Sequence, residues 1–257
     1  MITKILFRLM VASLCLTIAA CVTTTTSLNT VNEDAAHDKR IELGMKYLEI
    51  GKRDNARRQF SMALELDSKS AQAYHGIALV HIANGEIKPA EDAFKKALSN
   101  IGEQNRTEIE VSYGKYLMGL DRFEEACPYF EQATTDYDYE GRVDALYLAG
   151  QCAQRRGDFE RMRGAYEHVV NLQPNYVPVL LDLADIYLKS EDYAKSKKML
   201  DVYAKNAKHT ARSLWLAIRI ERIFGNRDKE SSLALMLKSM YPYSKEFLEY
   251  KRLLEQK

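Results

Sequence analysis

The chain has little of what most enzymes are built from. In 257 residues it has five histidines, four cysteines and a single tryptophan. The histidines are scattered, with no two spaced as a ligand pair, so no metal site is expected. There is no glycine-rich phosphate loop, no G-x-S-x-G elbow and no H-E-x-x-H helix. The paired acids Glu91–Asp92 and Glu124–Glu125 read as solvated helix faces. Charge of one sign is missing too: 37 Lys and Arg against 36 Asp and Glu give a net charge of +1. A near-neutral body has no basic face for nucleic acid. Neither a catalytic centre, a cofactor nor a small-molecule substrate is expected.

The N-terminus is where composition departs from the average. Lys4 and Arg8 precede an apolar run from Leu9 to Ala20, followed by Cys21. A basic start, an apolar run too short to span a bilayer, and small residues before a cut site describe a signal peptide over 1–20. The ending Ile18-Ala19-Ala20-Cys21 resembles a bacterial lipoprotein signal. The resemblance implies that Cys21 becomes the acylated N-terminus, and Val22 after it implies the outer membrane, periplasmic face. No later apolar stretch approaches the roughly 20 residues of a spanning helix, so the lipid would be the anchor. The threonine-rich stretch that follows is expected to be a flexible tether over 21–36.

From His37 the chain repeats about every 34 residues. Leu43-Gly44, Tyr47, Gly51, Ala56, Phe60 and Ala63 are followed in frame by Ile77-Ala78, His81, Gly85, Ala90, Phe94 and Ala97. Later units carry Tyr113-Gly114, Leu117 and Phe130; then Ala149-Gly150, Gly157 and Tyr166; then Leu183-Ala184, Tyr187 and Leu200; then Ala217, Gly225, Ala234 and Leu237. Small residues allow two antiparallel helices to approach, and large ones fill the space between them. One such pair cannot bury its own apolar face, so neighbours must stack. The pattern resembles the tetratricopeptide repeat. It implies an all-α, right-handed superhelical solenoid of six repeats near 37–70, 71–104, 107–140, 143–176, 177–210 and 211–244. A capping helix over 245–257 is expected to set Phe247, Leu248, Leu253 and Leu254 against its Glu and Lys residues. Pro128 falls inside the second helix of unit three and is expected to kink it.

Two cysteines remain in the body. Cys127 and Cys152 fall on neighbouring helices, and an even pair in an oxidising compartment is a disulfide candidate. The bridge would stabilise by about 3 kcal/mol in the chain-entropy description. Two buried small side chains are the alternative.

In this repeat family the first helix of each unit lines an inner groove. The frame then places Ile41, Met45, Leu48, Leu79 and Ile82 in an apolar groove, with His75 and Gln72 beside it. An exposed apolar strip marks a partner site, and an amphipathic helix is the natural occupant. Unit six offers Arg212, Trp215, Arg219 and Arg222 as a second contact surface, with Trp215 either contact or core.

Three stretches carry a narrower resemblance: Ile41–Gly51, Ala211–Ile220 with Phe224 and Asn226–Asp228 after it, and Leu237–Pro242. They are similar to the type IV pilus biogenesis and stability lipoproteins, the PilF/PilW pilotins. That resemblance implies a scaffold that binds the pilus secretin and helps it reach the outer membrane and assemble into multimers. A repeat-containing lipoprotein subunit of the β-barrel assembly machinery is the alternative. An enzyme with a repeat domain attached is disfavoured, because no segment is left to house a catalytic domain.

Overall fold

The computed structural model describes residues 25–102 and 106–255, with side chains from residue 32 onward. The signal sequence and Cys21 lie outside the described residues. Among the described residues there are thirteen helices and no strand. They are α1 (Thr25–Glu49), α2 (Arg53–Leu66), α3 (Ala71–Asn84), α4 (Ile87–Asn100), α5 (Arg106–Gly119), α6 (Phe123–Ala133), α7 (Arg142–Arg155), α8 (Phe159–Leu172), α9 (Val177–Lys189), α10 (Tyr193–Asn206), α11 (Ala211–Ile223), α12 (Arg227–Met240) and α13 (Lys245–Glu255). Six consecutive helix pairs and a final single helix make an all-α repeat fold. They group into two compact units, one ending at Ile109 and the other running from Glu110.

In the first unit α2 is sandwiched between α1 and α3. Its Phe60 is fully buried with Ala56 and Val80. The ring lies against the backbone of two glycines: a Cβ at Gly44 would fall 2.5 Å from it, and one at Gly76 only 2.4 Å. Phe60 thus couples its own helix pair to the next one. Ser70 caps α3, its hydroxyl accepting from the Ala73 N–H at 3.1 Å. That hydroxyl also lies 2.7 Å from Nε2 of His37 on α1.

The second unit repeats the device. Phe130 packs at Gly114 and Tyr166 at Gly150, where added Cβ atoms would come within 2.9 and 2.4 Å. Around Tyr166 the core gathers Leu146, Val169, Leu180, Leu183, Tyr187 and Leu200. A smaller cluster of Leu214, Ile218, Ala234, Leu237 and Phe247 closes the C-terminal end.

The turns between paired helices need one residue with positive φ. Gly51, Gly85, Gly157 and Gly225 supply it at 72–75°. Units three and five place Asp121 and Glu191 there, at 60° and 61°. A side chain in that region costs about 1 kcal/mol against glycine, which the packing of the flanking helices offsets.

Two expectations are corrected. The chain from Thr25 to Ala36 is helical, not a flexible tether. Once the packed part of α1 exists, each added residue gains a hydrogen bond without a new nucleation cost, and Ala35 and Ala36 are strong helix formers. The second correction is in α13, where Phe247 is buried and Tyr250 packs beside it, but Leu248 and Leu254 face solvent. Packed against α11 and α12, α13 buries a single narrow stripe. The helix α6 continues on both sides of Pro128. That ring sits on the exposed face, away from the packed side of Cys127 and Phe130. The following loop is fastened by Arg142, whose Nε donates to the Thr134 carbonyl at 2.8 Å and whose guanidinium lies 4.3 Å from the Tyr137 ring centre.

Candidate partner groove

The candidate groove lies in the first unit. Ile41, Met45 and Leu48 follow three- and four-residue spacing and so share one stripe of α1. Leu79 and Ile82 do the same on α3, which lies beside it. The strip is not fully free of the core. Ile41, Met45 and Leu48 are half-buried and rest on the Ala56–Phe60–Val80 cluster. Leu79 is half-buried, and Ile82 is the most open at 38 % exposure. The structure therefore brings the five apolar residues onto two adjacent helices, with the α1 residues doing double duty as the rim of the core.

His75 is a correction. It is only 8 % exposed, and its ring lies 5.9 Å from that of Phe94. Burial pulls its pKa down to about 4, so it is neutral at neutral pH and belongs to the interior. A histidine in a half-apolar frame position reads the same in sequence whether it faces a groove or the next helix.

Unit six is less basic than its sequence suggests. Arg212 pairs with Asp182 on α9 at 2.7 Å, and Arg222 with Glu230 on α12 at 3.3 Å. Arg219 lies over Trp215, 5.9 Å from its ring centre. Trp215 is half-buried against the C-terminal cluster and meets Tyr250 of α13 edge to face at 6.5 Å. It is both core and partly exposed edge, because α13 covers one side of it. Cys127 and Cys152 are joined as a disulfide with Cα atoms 5.8 Å apart, tying α6 to α7.

One buried carboxylate escaped the sequence reading. Glu221 occupies the frame position held by Tyr47, His81, Leu117 and Tyr187, yet its side chain is only 8 % exposed. It lies at a cavity of about 400 Å³ between α10, α11 and α12. Lys197 of α10 donates to one oxygen, and Asn226 Nδ2 to the other at 2.5 Å. Burial alone pushes this carboxyl up, but those hydrogen bonds and the nearby ammoniums outweigh it and hold its pKa below the usual value. The signal available in the sequence was an acid at a frame position that the other units fill with Tyr47, His81, Leu117, Ala153 and Tyr187, none of them an acid. Among the described residues no cluster of His, Cys, Asp or Glu is arranged to hold a metal, and no helix is long and apolar enough to cross a membrane.

The tetratricopeptide repeat family matches residues 41–105 and 114–175. The type IV pilus assembly protein PilF of Pseudomonas aeruginosa is 31 % identical over 217 residues, covering 84 % of this chain and 85 % of that protein. A solved structure of Pseudomonas aeruginosa PilF superposes with a TM-score of 0.75 at 30 % identity, over 86 % of this chain and 99 % of that one. PilW, described as a widely conserved type IV pilus biogenesis factor, shares the fold at 24 % identity and a TM-score of 0.62, over 83 % of this chain and 97 % of its own. With that identity held over most of both chains, this chain belongs to the tetratricopeptide-repeat family of type IV pilus assembly proteins that includes PilF.

Proposed function

We propose that this protein is an outer-membrane lipoprotein, anchored through Cys21, that acts as a pilotin: it binds the type IV pilus secretin and promotes its localisation and multimer assembly. It works by binding and not by catalysis. The observation that carries the reading is the match to PilF across 84 % of the chain, joined to an apolar strip on α1 and α3 that this fold leaves partly open. The strip of Ile41, Met45, Leu48, Leu79 and Ile82 takes a short amphipathic segment of the secretin. Apolar area leaving water supplies the affinity.

Ile82 is the cleanest probe, since it is the most exposed member of the strip. Ile82→Glu sets an unpaired carboxylate where the partner must exclude water, a cost the partner's contacts do not offset. Each 1.4 kcal/mol lost weakens binding about tenfold. The expected result is loss of secretin in pull-down and of secretin multimers in the outer membrane, with an unchanged melting temperature. Leu48→Glu should lose both binding and stability, because Leu48 also rests on Phe60's cluster. Normal multimers with Ile82→Glu would reject the strip as the secretin site. In the same cells, Cys21→Ser should release the protein from the outer-membrane fraction; a variant still found there would reject the lipid anchor.

A further inference from the structure

The edge of the groove carries charge of mainly one sign, and the N-terminal extension of α1 lengthens it by one turn. Because α1 begins at Thr25, Asp34, Asp38 and Glu42 recur once per turn, about 6 Å apart, and Glu49 follows two turns later. At 100° per residue these four carboxylates sit about 20–100° round α1 from Ile41, alongside the apolar stripe on its solvent side. All four are exposed. Two cations lie near them: Lys46, which pairs with Glu42 and also feels Glu49, and Lys39, which acts on Glu42 at longer range, so four carboxylates face two ammoniums. His37 Nδ1 lies 3.1 Å from Asp38. On α3 the residues that flank Leu79 on the same side are Gln72 and Ala83, so that helix brings no balancing charge there.

We propose that this edge selects a basic partner: an amphipathic helix whose apolar stripe enters the strip and whose lysine or arginine flank lies against Asp34, Asp38, Glu42 and Glu49. The inference rests on the reading of the strip as the partner groove and adds the chemistry of what fills it. From Asp34 to Glu49 the edge runs about 22 Å, the length of a helix of about four turns. Exposed ion pairs add little affinity singly. Their joint effect is selection and faster encounter, both weakened by salt.

The test uses the mature protein and three designed helical peptides of about 15 residues, with one leucine stripe and lysine, glutamine or glutamate flanks. The lysine peptide is expected to bind about tenfold tighter than the glutamate peptide at low salt, a difference of about 1.4 kcal/mol. Near 1 M salt, where screening acts within about 3 Å, the two should converge. Asp34→Asn/Asp38→Asn/Glu49→Gln should lose most of that preference and keep its affinity for the glutamine peptide. Equal binding of the lysine and glutamate peptides, with glutamine-peptide binding abolished by Ile82→Glu, would overturn the charge selection and leave the groove standing. A preference that survives in the triple variant would also overturn it, by moving the selectivity elsewhere. Failure of all three peptides to bind would take both readings down. Light scattering that shows a dimer dispersed by Ile82→Glu would assign the face to a second copy, against the proposal.

Discussion

Phe60→Ala is expected to cost about 3–5 kcal/mol, concentrated in the first unit. The ring is fully buried, and it touches the backbone at Gly44 on one side and at Gly76 on the other. Removing it opens a cavity between α1, α2 and α3, which cannot collapse without moving helices that other residues hold in place. In a repeat stack stability is close to a sum of unit and neighbour terms, so the loss should be local. Amide hydrogen exchange should show α1–α3 opening well before α7–α10. A uniform loss across both units, or a cost below about 1 kcal/mol, would contradict this account. The same contact can be approached from its other wall. Gly76→Ala should destabilise through the 2.4 Å encounter with the ring, and Phe60→Leu should relieve much of that penalty, so that the double variant is less damaged than the sum of the singles.

Phe60 marks where the sequence was legible and where it stopped. The spacing of Gly44, Ala56, Phe60 and Ala63 was enough to call for paired helices, since small and large residues alternate on facing stripes. Gly76 falls outside those frame positions, and only the packing of α2 on the following pair explains it. The turn glycines were readable because positive φ is costly for other residues, but Asp121 and Glu191 occupy the same backbone region without announcing it. The strip residues were readable as a stripe, and their sharing with the core was not. Periodicity gives the direction of a side chain on its own helix but not the distance to the next. His75 failed for that reason: its direction suited the groove, and Phe94 came close enough to bury it. The length of α1 failed for a different one. Low apolar content suggested a loose tether, while a helix already anchored at one end extends cheaply.

Lys197→Met is expected to lower stability by about 3 kcal/mol, the lower end of the range for breaking a buried pair, because Lys197 keeps 28 % of its side chain exposed. The damage comes from what is left behind. Glu221 would remain buried with Asn226 still donating to it. In the native protein its pKa is held down, so the unfolded chain binds the proton more readily than the folded one. The pair's contribution is therefore complete above the unfolded carboxylate value of about 4.3 and is lost as pH falls through the depressed folded value. Without Lys197, burial becomes the dominant influence and the folded pKa rises above the unfolded one. The sign then reverses: the penalty is largest at neutral pH and shrinks as acid protonates Glu221. Melting temperatures of the two proteins measured from neutral pH down to about pH 4 should converge, starting from a gap of about 6–12 °C. Lys197→Met/Glu221→Leu should recover most of the loss at neutral pH, since replacing both charges with apolar groups removes the desolvation cost along with the attraction. Parallel pH curves for Lys197→Met and the native protein would mean that water reaches Glu221 freely. In that event the carboxylate at this core position of unit six is a solvated group, and the cavity between α10, α11 and α12 is open enough to hydrate it.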